Sequence, residues 1–252
     1  MSQVRHFSFP GAPVNPLAKG GVRYPECAIT LRASGAMKPG KDDENRMRVF
    51  RSLGIAGDRV MSVTQIHSRI VHIAASSRAF TGCPEGDGVL TVHPDLVPCV
   101  TVADCMPLWL FDPVTGFFGV LHSGWKGTGI LRTALDLARE EWGAQSDTIR
   151  LILGPHIRSC CYTVDEERAQ WFRRTVGPSC VSLDPQRQSE GSKWPWRLSL
   201  AEANRTLALS LGIQEEHLLD TGVCTSCDHS FGSSRREGAS CFTHMAAYIR
   251  MS

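Results

Sequence analysis

Phe117-Phe-Gly-Val-Leu121 is an unbroken apolar or small run that ends on His122 and passes straight into Ser123-Gly-Trp-Lys-Gly-Thr-Gly129. Such a run, too short for a helix, reads as a strand buried on both faces. The residues after the glycine-rich loop change period. Leu131, Ala134, Leu135, Ala138 and Trp142 form one apolar stripe, with Arg132, Asp136, Arg139 and Glu140 opposite, so a helix packs its stripe on the sheet containing the strand. Upstream, Asp112-Pro-Val-Thr-Gly116 is a turn, Leu108 to Phe111 a strand, and Pro98 to Ala103 a second run of the buried kind.

Further out, the pattern stays mixed. Residues 12–45 read as short strands, turns and loops. A helix capped by Asn45 or a neighbour runs to Leu53, stopped by Gly54 and Gly57. Met61 to Gln65 reads as a strand with His67 at its end, followed by short strands at Ile70 to Ala74 and Val89 to Val92 around the turn Gly86-Asp87-Gly88. Ile149 to Leu153 is a strand broken by Gly154-Pro155, and Asp165 to Thr175 is helical. Residues 184–197 read as a surface loop. Ser199 caps a helix to Leu211, with Glu202 in the capping box and Gly212 as the stop. Cys224 to Gly238 reads as a loop and Met245 to Ile249 as a last strand. Strands and helices without strict alternation predict a single-domain α/β mixed sandwich (α+β) over residues 1–252.

Composition narrows the function classes. Of 252 residues, 27 are Lys or Arg and 25 are Asp or Glu, a net charge of +2, which predicts no nucleic-acid groove and no membrane-binding patch. No apolar run reaches the roughly 20 residues of a spanning helix, and Met1 to Pro10 lacks a signal-peptide core. The reading is a cytoplasmic protein whose ten cysteines are reduced. Cys224-x-x-Cys227, with no second such pair, and the adjacent Cys160 and Cys161 are read as buried thiols rather than as a metal half-site or redox pair. Gly124 to Gly129 precedes a helix but lacks Walker A spacing, which argues against ATP binding.

Three soft ligands share one context: His67, Cys105 and His122 each follow an apolar strand and open a loop. Strand ends converge at a sheet edge, and two imidazoles with one thiolate suit zinc while leaving a fourth position for water or substrate. A trio so widely spaced has no diagnostic spacing, and structural roles for each residue stand beside the metal reading.

The words around these residues carry more. Gln65-Ile-His67, Gly86-Asp-Gly-Val-Leu90, Thr101-Val-Ala-Asp-Cys105-Met-Pro107, Leu121-His-Ser-Gly-Trp-Lys-Gly127, Leu153-Gly-Pro-His-Ile157, Cys160-Cys-Tyr-Thr-Val164, Cys224-Thr-Ser-Cys227 and Ser234-Arg-Arg-Glu-Gly238 follow in this order. Together they resemble the laccase-domain (polyphenol oxidase) family of purine nucleoside phosphorylases, from about Gly20 to Ile249. The resemblance implies a metal on His67, Cys105 and His122. It also implies a fold like that of the cysteine-dependent deamidating toxins, and phosphorolysis of adenosine, inosine and methylthioadenosine with deamination of adenosine. The partners implied are a small nucleoside and phosphate. Phosphate needs cations, and Arg46, Lys126 and Arg236 stand beside the family-like blocks. Asp104 is a candidate acid–base group, with a structural hydrogen-bonding role as its alternative. The nine histidines include no His-x-His pair, so a multicopper cluster is not expected and zinc is favoured over copper. Two departures bear on substrate. Phe231-Gly-Ser-Ser234 lacks the aromatic that the family carries at its last position, and Gly20-Gly-Val-Arg23 ends in Arg where the family has Ser. Two alternatives remain open: a hydrolase with Cys105 as nucleophile and His122 as base, editing a peptidoglycan precursor as some relatives do, and a non-catalytic partner of the division machinery.

Overall fold

The structure is a computed structural model describing residues 3–12, 23–76, 82–238 and 240–251. Gly20 to Val22 lie outside them. Two large sheets face each other. One has five strands in the order β1 (Val4–Phe7), β2 (Glu26–Thr30), β14 (Met245–Arg250), β6 (Val97–Val102) and β3 (Val60–Ser62). It is antiparallel except for the β3–β6 pair. The other has six: β13 (Leu218–Asp220), β9 (Arg150–Leu153), β7 (Met106–Phe111), β8 (Phe118–Ser123), β5 (Gly88–Thr91) and β4 (Val71–Ile73). Its outer pairs are parallel and its inner pairs antiparallel.

Side-chain alternation sorts the core into layers. Val100 and Val102 of β6, Met245, Ala247 and Ile249 of β14, Trp109 and Phe111 of β7, and Phe118 and Val120 of β8 meet between the sheets. The opposite face of the six-stranded sheet, with Leu108, Leu110, Leu121, Leu151 and Leu153, packs on α2 (Ile130–Trp142), α3 (Glu166–Thr175) and α5 (Leu200–Ser210). The outer face of the five-stranded sheet, with Val97, Cys99, Ala246 and Tyr248, packs on α1 (Asp43–Ser52). The result is a helix–sheet–sheet–helix sandwich. Trp109 pins the two sheets together, its indole Nε1 donating to the Tyr248 carbonyl at 3.0 Å. Among the described residues no helix is long and apolar enough to cross a membrane.

The central elements agree with their sequence reading: β6, β7 and β8 are buried at every position, and α2 buries Leu131, Ala134, Leu135 and Ala138 while Trp142 stacks on Phe117 at 5.4 Å. Departures fall where side chains redirect the chain. β3 ends at Ser62, not Gln65, because the Gln65 side chain takes Thr101 as partner, accepting from its N–H at 2.7 Å and donating to its carbonyl at 2.8 Å. Asp42, not Asn45, precedes α1. Asn45 lies inside the helix and donates to the Ser34 and Ala36 carbonyls. Ser199 caps α5 as expected, accepting from the Glu202 N–H at 3.1 Å. The polar stretch 184–197 is more ordered than a surface loop. It holds α4 (Pro185–Ser189) and enters β12 (Trp196–Leu198), the middle strand of a small sheet with β10 (Thr163–Val164) and β11 (Val181–Leu183). The loop at Cys224 to Gly238 contains a short helix, α6 (Ser234–Glu237).

Packing across β8 is tight enough to test. A Cβ on Gly119 would stand 2.3 Å from the Val89 carbonyl oxygen and 2.4 Å from Leu90 Cδ2, so Gly119→Ala must push β5 and β8 apart. We expect a loss of about 1–3 kcal/mol, read as a lower urea midpoint at unchanged slope. An unchanged midpoint would contradict this packing.

Candidate metal and substrate site

The site is built on one carboxylate. Asp87, fully buried just before β5, accepts from the backbone N–H groups of Ile66 (3.3 Å), His67 (3.1 Å) and Ser68 (2.6 Å) and from the Ser68 hydroxyl (2.7 Å). Its other contact is His122 Nδ1 at 2.8 Å. Burial works against the charge, but the hydrogen bonds from His122 and Ser68 prevail and hold the Asp87 carboxyl at about 2. Asp87 therefore shapes the turn that presents His67, which sits at φ 58°, a backbone state that costs a non-glycine residue roughly 1–2 kcal/mol. It also accepts a hydrogen bond from His122 Nδ1–H, leaving Nε2 free to bind a ligand.

Cys105 arrives from another direction. It lies between β6 and β7, where the chain leaves one sheet for the other. Asp104, at φ 86°, is fixed there by the Thr225 hydroxyl at 2.7 Å and the Arg235 N–H at 2.7 Å, one on each carboxylate oxygen. Both oxygens are thus engaged, which favours the positioning role of Asp104 over acid–base work. The His67, Cys105 and His122 ligand atoms lie within 4.8 Å of one another, with the imidazoles edge to face at 5.0 Å. A tetrahedral ion with zinc-like bond lengths requires ligand separations of roughly 3.3–3.8 Å, a small adjustment from this arrangement. Gly124 closes the near side: a Cβ there would stand 2.8 Å from Cys105 Sγ, so no larger residue fits behind the thiol.

The protonation states are coupled. Burial opposes charge on both groups. The His122 and His67 rings nevertheless draw the Cys105 thiol down to about 6, and the Cys105 thiolate with Asp87 lifts His122 to about 9.

The triad lies in the wall of a cavity of about 770 Å³, within the range of small-molecule sites. Trp125, Tyr162, Trp194 and Phe242 give it aromatic walls, and Lys38 and Arg235 give it cations. Of the cations expected from the sequence, none lines it. Arg46 is buried beneath α1, donating to the Met37 carbonyl and to Ser62 Oγ. Arg236 spends its guanidinium on the Thr225, Ser226 and Phe231 carbonyls and on Glu237. Lys126 is exposed, 5.5 Å from the ring of Trp125. The neighbour of Arg236, Arg235, faces the cavity instead, donating to the Cys161 and Thr163 carbonyls and the Thr163 hydroxyl while lying over Tyr162. Adjacent arginines on a short helix point apart, a choice one residue wide that spacing alone does not make. Asp87 was legible only as a turn residue, and Lys38 and Trp194 carried no motif.

A model of the multi-copper polyphenol oxidoreductase laccase family matches residues 32–252. The chain belongs to this family. It is 30% identical over 214 residues to the purine nucleoside phosphorylase YlmD of Geobacillus stearothermophilus, covering 81% of this chain and 77% of that one. It is 29% identical over 203 residues to the adenosine deaminase RL5 of an unknown prokaryotic organism, covering 77% and 76%. The crystal structure of the Geobacillus YlmD superposes with a TM-score of 0.79 at 26% identity, over 90% of this chain and 92% of that one. The α+β mixed-sheet fold is therefore that of the laccase family. The multi-copper label sits uneasily on a site of two imidazoles and one thiolate in a chain without a His-x-His pair.

Two outcomes test this geometry. Asp87→Asn keeps the shape but removes the charge and sets an NH2 donor where one of two acceptor oxygens faces N–H and O–H donors, so metal affinity should fall about ten- to a hundredfold in competition with a chelator. Unchanged affinity would remove Asp87 from the site. In metal-stripped protein, alkylation of Cys105 should rise with pH through about 6 instead of about 9. The lowered thiol adds stability that is complete above about 9 and is lost as pH falls through about 6. The raised His122 adds stability that is complete below about 6.5 and is lost as pH rises through about 9. Stripped protein should thus resist urea best between those limits, and a monotonic profile across them would exclude the ion pair.

Proposed function

We propose that this chain is a zinc-dependent purine nucleoside phosphorylase of the cytoplasm. Its substrates are adenosine, inosine and methylthioadenosine, and adenosine is deaminated at the same site. The observation that carries the reading is a closed trio of metal-ligating groups in the wall of a cavity that offers both aromatic faces and cations. The printed activities of the relatives, phosphorylase and deaminase, agree with it.

Phosphorolysis breaks the bond from the ribose C1 carbon to the purine nitrogen and forms one to a phosphate oxygen, and the purine leaves with the proton that the hydrogen phosphate gives up. The phosphate must be held close, with its charge offset. Lys38 and Arg235 are the cations that line the cavity, while Lys126 lies 5.5 Å from the ring of Trp125, which lines it. The base has Trp125, Tyr162, Trp194 and Phe242 to stack on. Trp194 and Phe242 offer aromatic surface where Ser234 lacks the family's ring. Zinc, when bound, supplies a Lewis acid that polarises a substrate oxygen or activates water. His67, Cys105 and His122 would hold it, with Asp87 keeping the His122 proton on Nδ1.

The Cys105 thiolate beside a protonated His122 also favours a second reading, a thiol hydrolase acting on a peptidoglycan precursor. The two separate on metal: a zinc-bound thiolate is not a free nucleophile, so zinc should support the first activity and abolish the second.

Hypoxanthine release from inosine should require phosphate, and Lys38→Ala should raise the phosphate KM about ten- to a hundredfold with zinc content unchanged and the inosine KM within about threefold. Release at equal rates with and without phosphate would mean hydrolysis and would end the phosphorylase reading.

A further inference from the structure

Away from the cavity triad, Cys160, Cys161, Cys224 and Cys227 converge, although 62 residues of chain lie between the pairs Cys160-Cys161 and Cys224-x-x-Cys227. Of these four, read from sequence as buried thiols, Cys224 is buried, but Cys161 is half-buried and Cys160 and Cys227 are exposed. Their four sulfurs lie within 4.8 Å of one another. Cys160 to Cys227 is 3.7 Å and Cys161 to Cys227 is 3.3 Å. The edge of a tetrahedron of sulfurs around zinc, at 2.3 Å per bond, is about 3.8 Å. Four thiols drawn to this spacing, three of them exposed or half-exposed, have no packing reason to be there, since hydrophobic burial would hide them and a covalent pair needs about 2.05 Å.

We propose that these four cysteines form a second, closed metal site for zinc, separate from the His67–Cys105–His122 trio. The chemistry of the surroundings fits a tetrathiolate. Binding of Zn2+ displaces the thiol protons to solvent, up to four of them, with no change of oxidation state, and leaves a centre of net charge −2. Three guanidiniums bear on the same segment. Arg158 stands beside the cluster in a bidentate pair with Asp220. Arg197, itself paired with Asp184, donates to the Ser159 and Cys160 carbonyls, and Arg235 to the Cys161 carbonyl. The Arg158 backbone N–H points at Cys224 Sγ, 3.5 Å away, the kind of contact that stabilises a thiolate. With four protein ligands and no open position, the site is structural.

Its position gives it work to do. It joins the turn after β9 to the turn before α6, two segments otherwise linked by the His156–Cys224 bridge and the Thr225 N–H to the His156 carbonyl. Thr225, next to Cys224, grips Asp104 and so sets the backbone that presents Cys105. Tyr162, next to Cys161, lines the cavity. The clip therefore holds two walls of the cavity in register.

Native mass spectrometry of the full chain, purified under reducing conditions with zinc, tests this directly. We expect two zinc ions per chain. The triple variant His67→Ala, Cys105→Ala, His122→Ala should keep one, and cobalt in it should give the intense visible absorption of a four-thiolate site. Cys160→Ser with Cys227→Ser should also keep one ion, with cobalt then reporting the mixed imidazole–thiolate site, and should lower the midpoint of thermal unfolding. The wild type needs no variant for a second check: Cys160, Cys161, Cys224 and Cys227 should resist alkylation with zinc and react once a chelator removes it. One ion per chain held by the trio, four cysteines equally reactive with and without zinc, or a disulfide among them under these conditions would each overturn the proposal. Failure of the cavity trio would instead appear as loss of the other ion and leaves this outcome readable.

Discussion

A single buried carboxylate organises the site. Asp87 contributes five contacts, three from the backbone of residues 66–68, one from the Ser68 hydroxyl and one from His122. An ionised carboxylate with no exposure would be costly by itself. It is tolerable because every contact to it is a donor, and each donor is a group the site needs in one place. The left-handed His67, the Nδ1 proton of His122 and the opening of β5 are consequences of satisfying that one charge. Removing the charge does not simply delete a hydrogen bond. It frees the two histidines to point elsewhere.

The sandwich explains why three ligands so distant in sequence meet. Along β8, Phe118, Val120 and His122 share the face that looks between the sheets, and the apolar residues there are buried in the intersheet core. His122 is the last of this row, at the end where the core gives way to the cavity. Cys105 sits where the chain crosses from β6 in one sheet to β7 in the other, and His67 follows β3, which pairs with β6. The site therefore occupies the open seam of two packed sheets. Its ligands come from both, so holding it together and holding the sheets in register are one constraint. Gln65 shows this from the other side, since its contacts to Thr101 fasten the segment leading to His67 onto β6.

What was readable in the sequence divides along the same line. Buried strands announce themselves, because a residue covered on both faces must be apolar, and α2 announces itself by its stripe. His67, Cys105 and His122 were legible through the words around them. Lys38, Arg235 and Trp194 were not, because a cavity wall is a tertiary property: each lies on a different segment and none repeats a pattern. Arg46 and Arg236 were misplaced for the complementary reason. A guanidinium looks the same in sequence whether it meets phosphate or satisfies orphan carbonyls, and here both arginines do the latter. The short strands β1 and β13 and the order within 184–197 were missed because a few residues of pairing leave no period to detect.

The donor set bears on how the family's laccase description applies to this site. A blue copper centre uses two imidazoles and one thiolate with a weak axial ligand, the same three donors as here, whereas a multinuclear copper cluster draws on many more imidazoles. Here two imidazoles and one thiolate converge, the thiolate is backed by Gly124, and one imidazole is locked by a carboxylate as in a Lewis-acid site with an open position. The cavity around the trio has aromatic and cationic walls. A buried carboxylate that keeps His122 charged or metal-bound, but never free to swing, fixes one of the three donors in place. The fold supplies the seam; the identity of the donors confines what can be done in it.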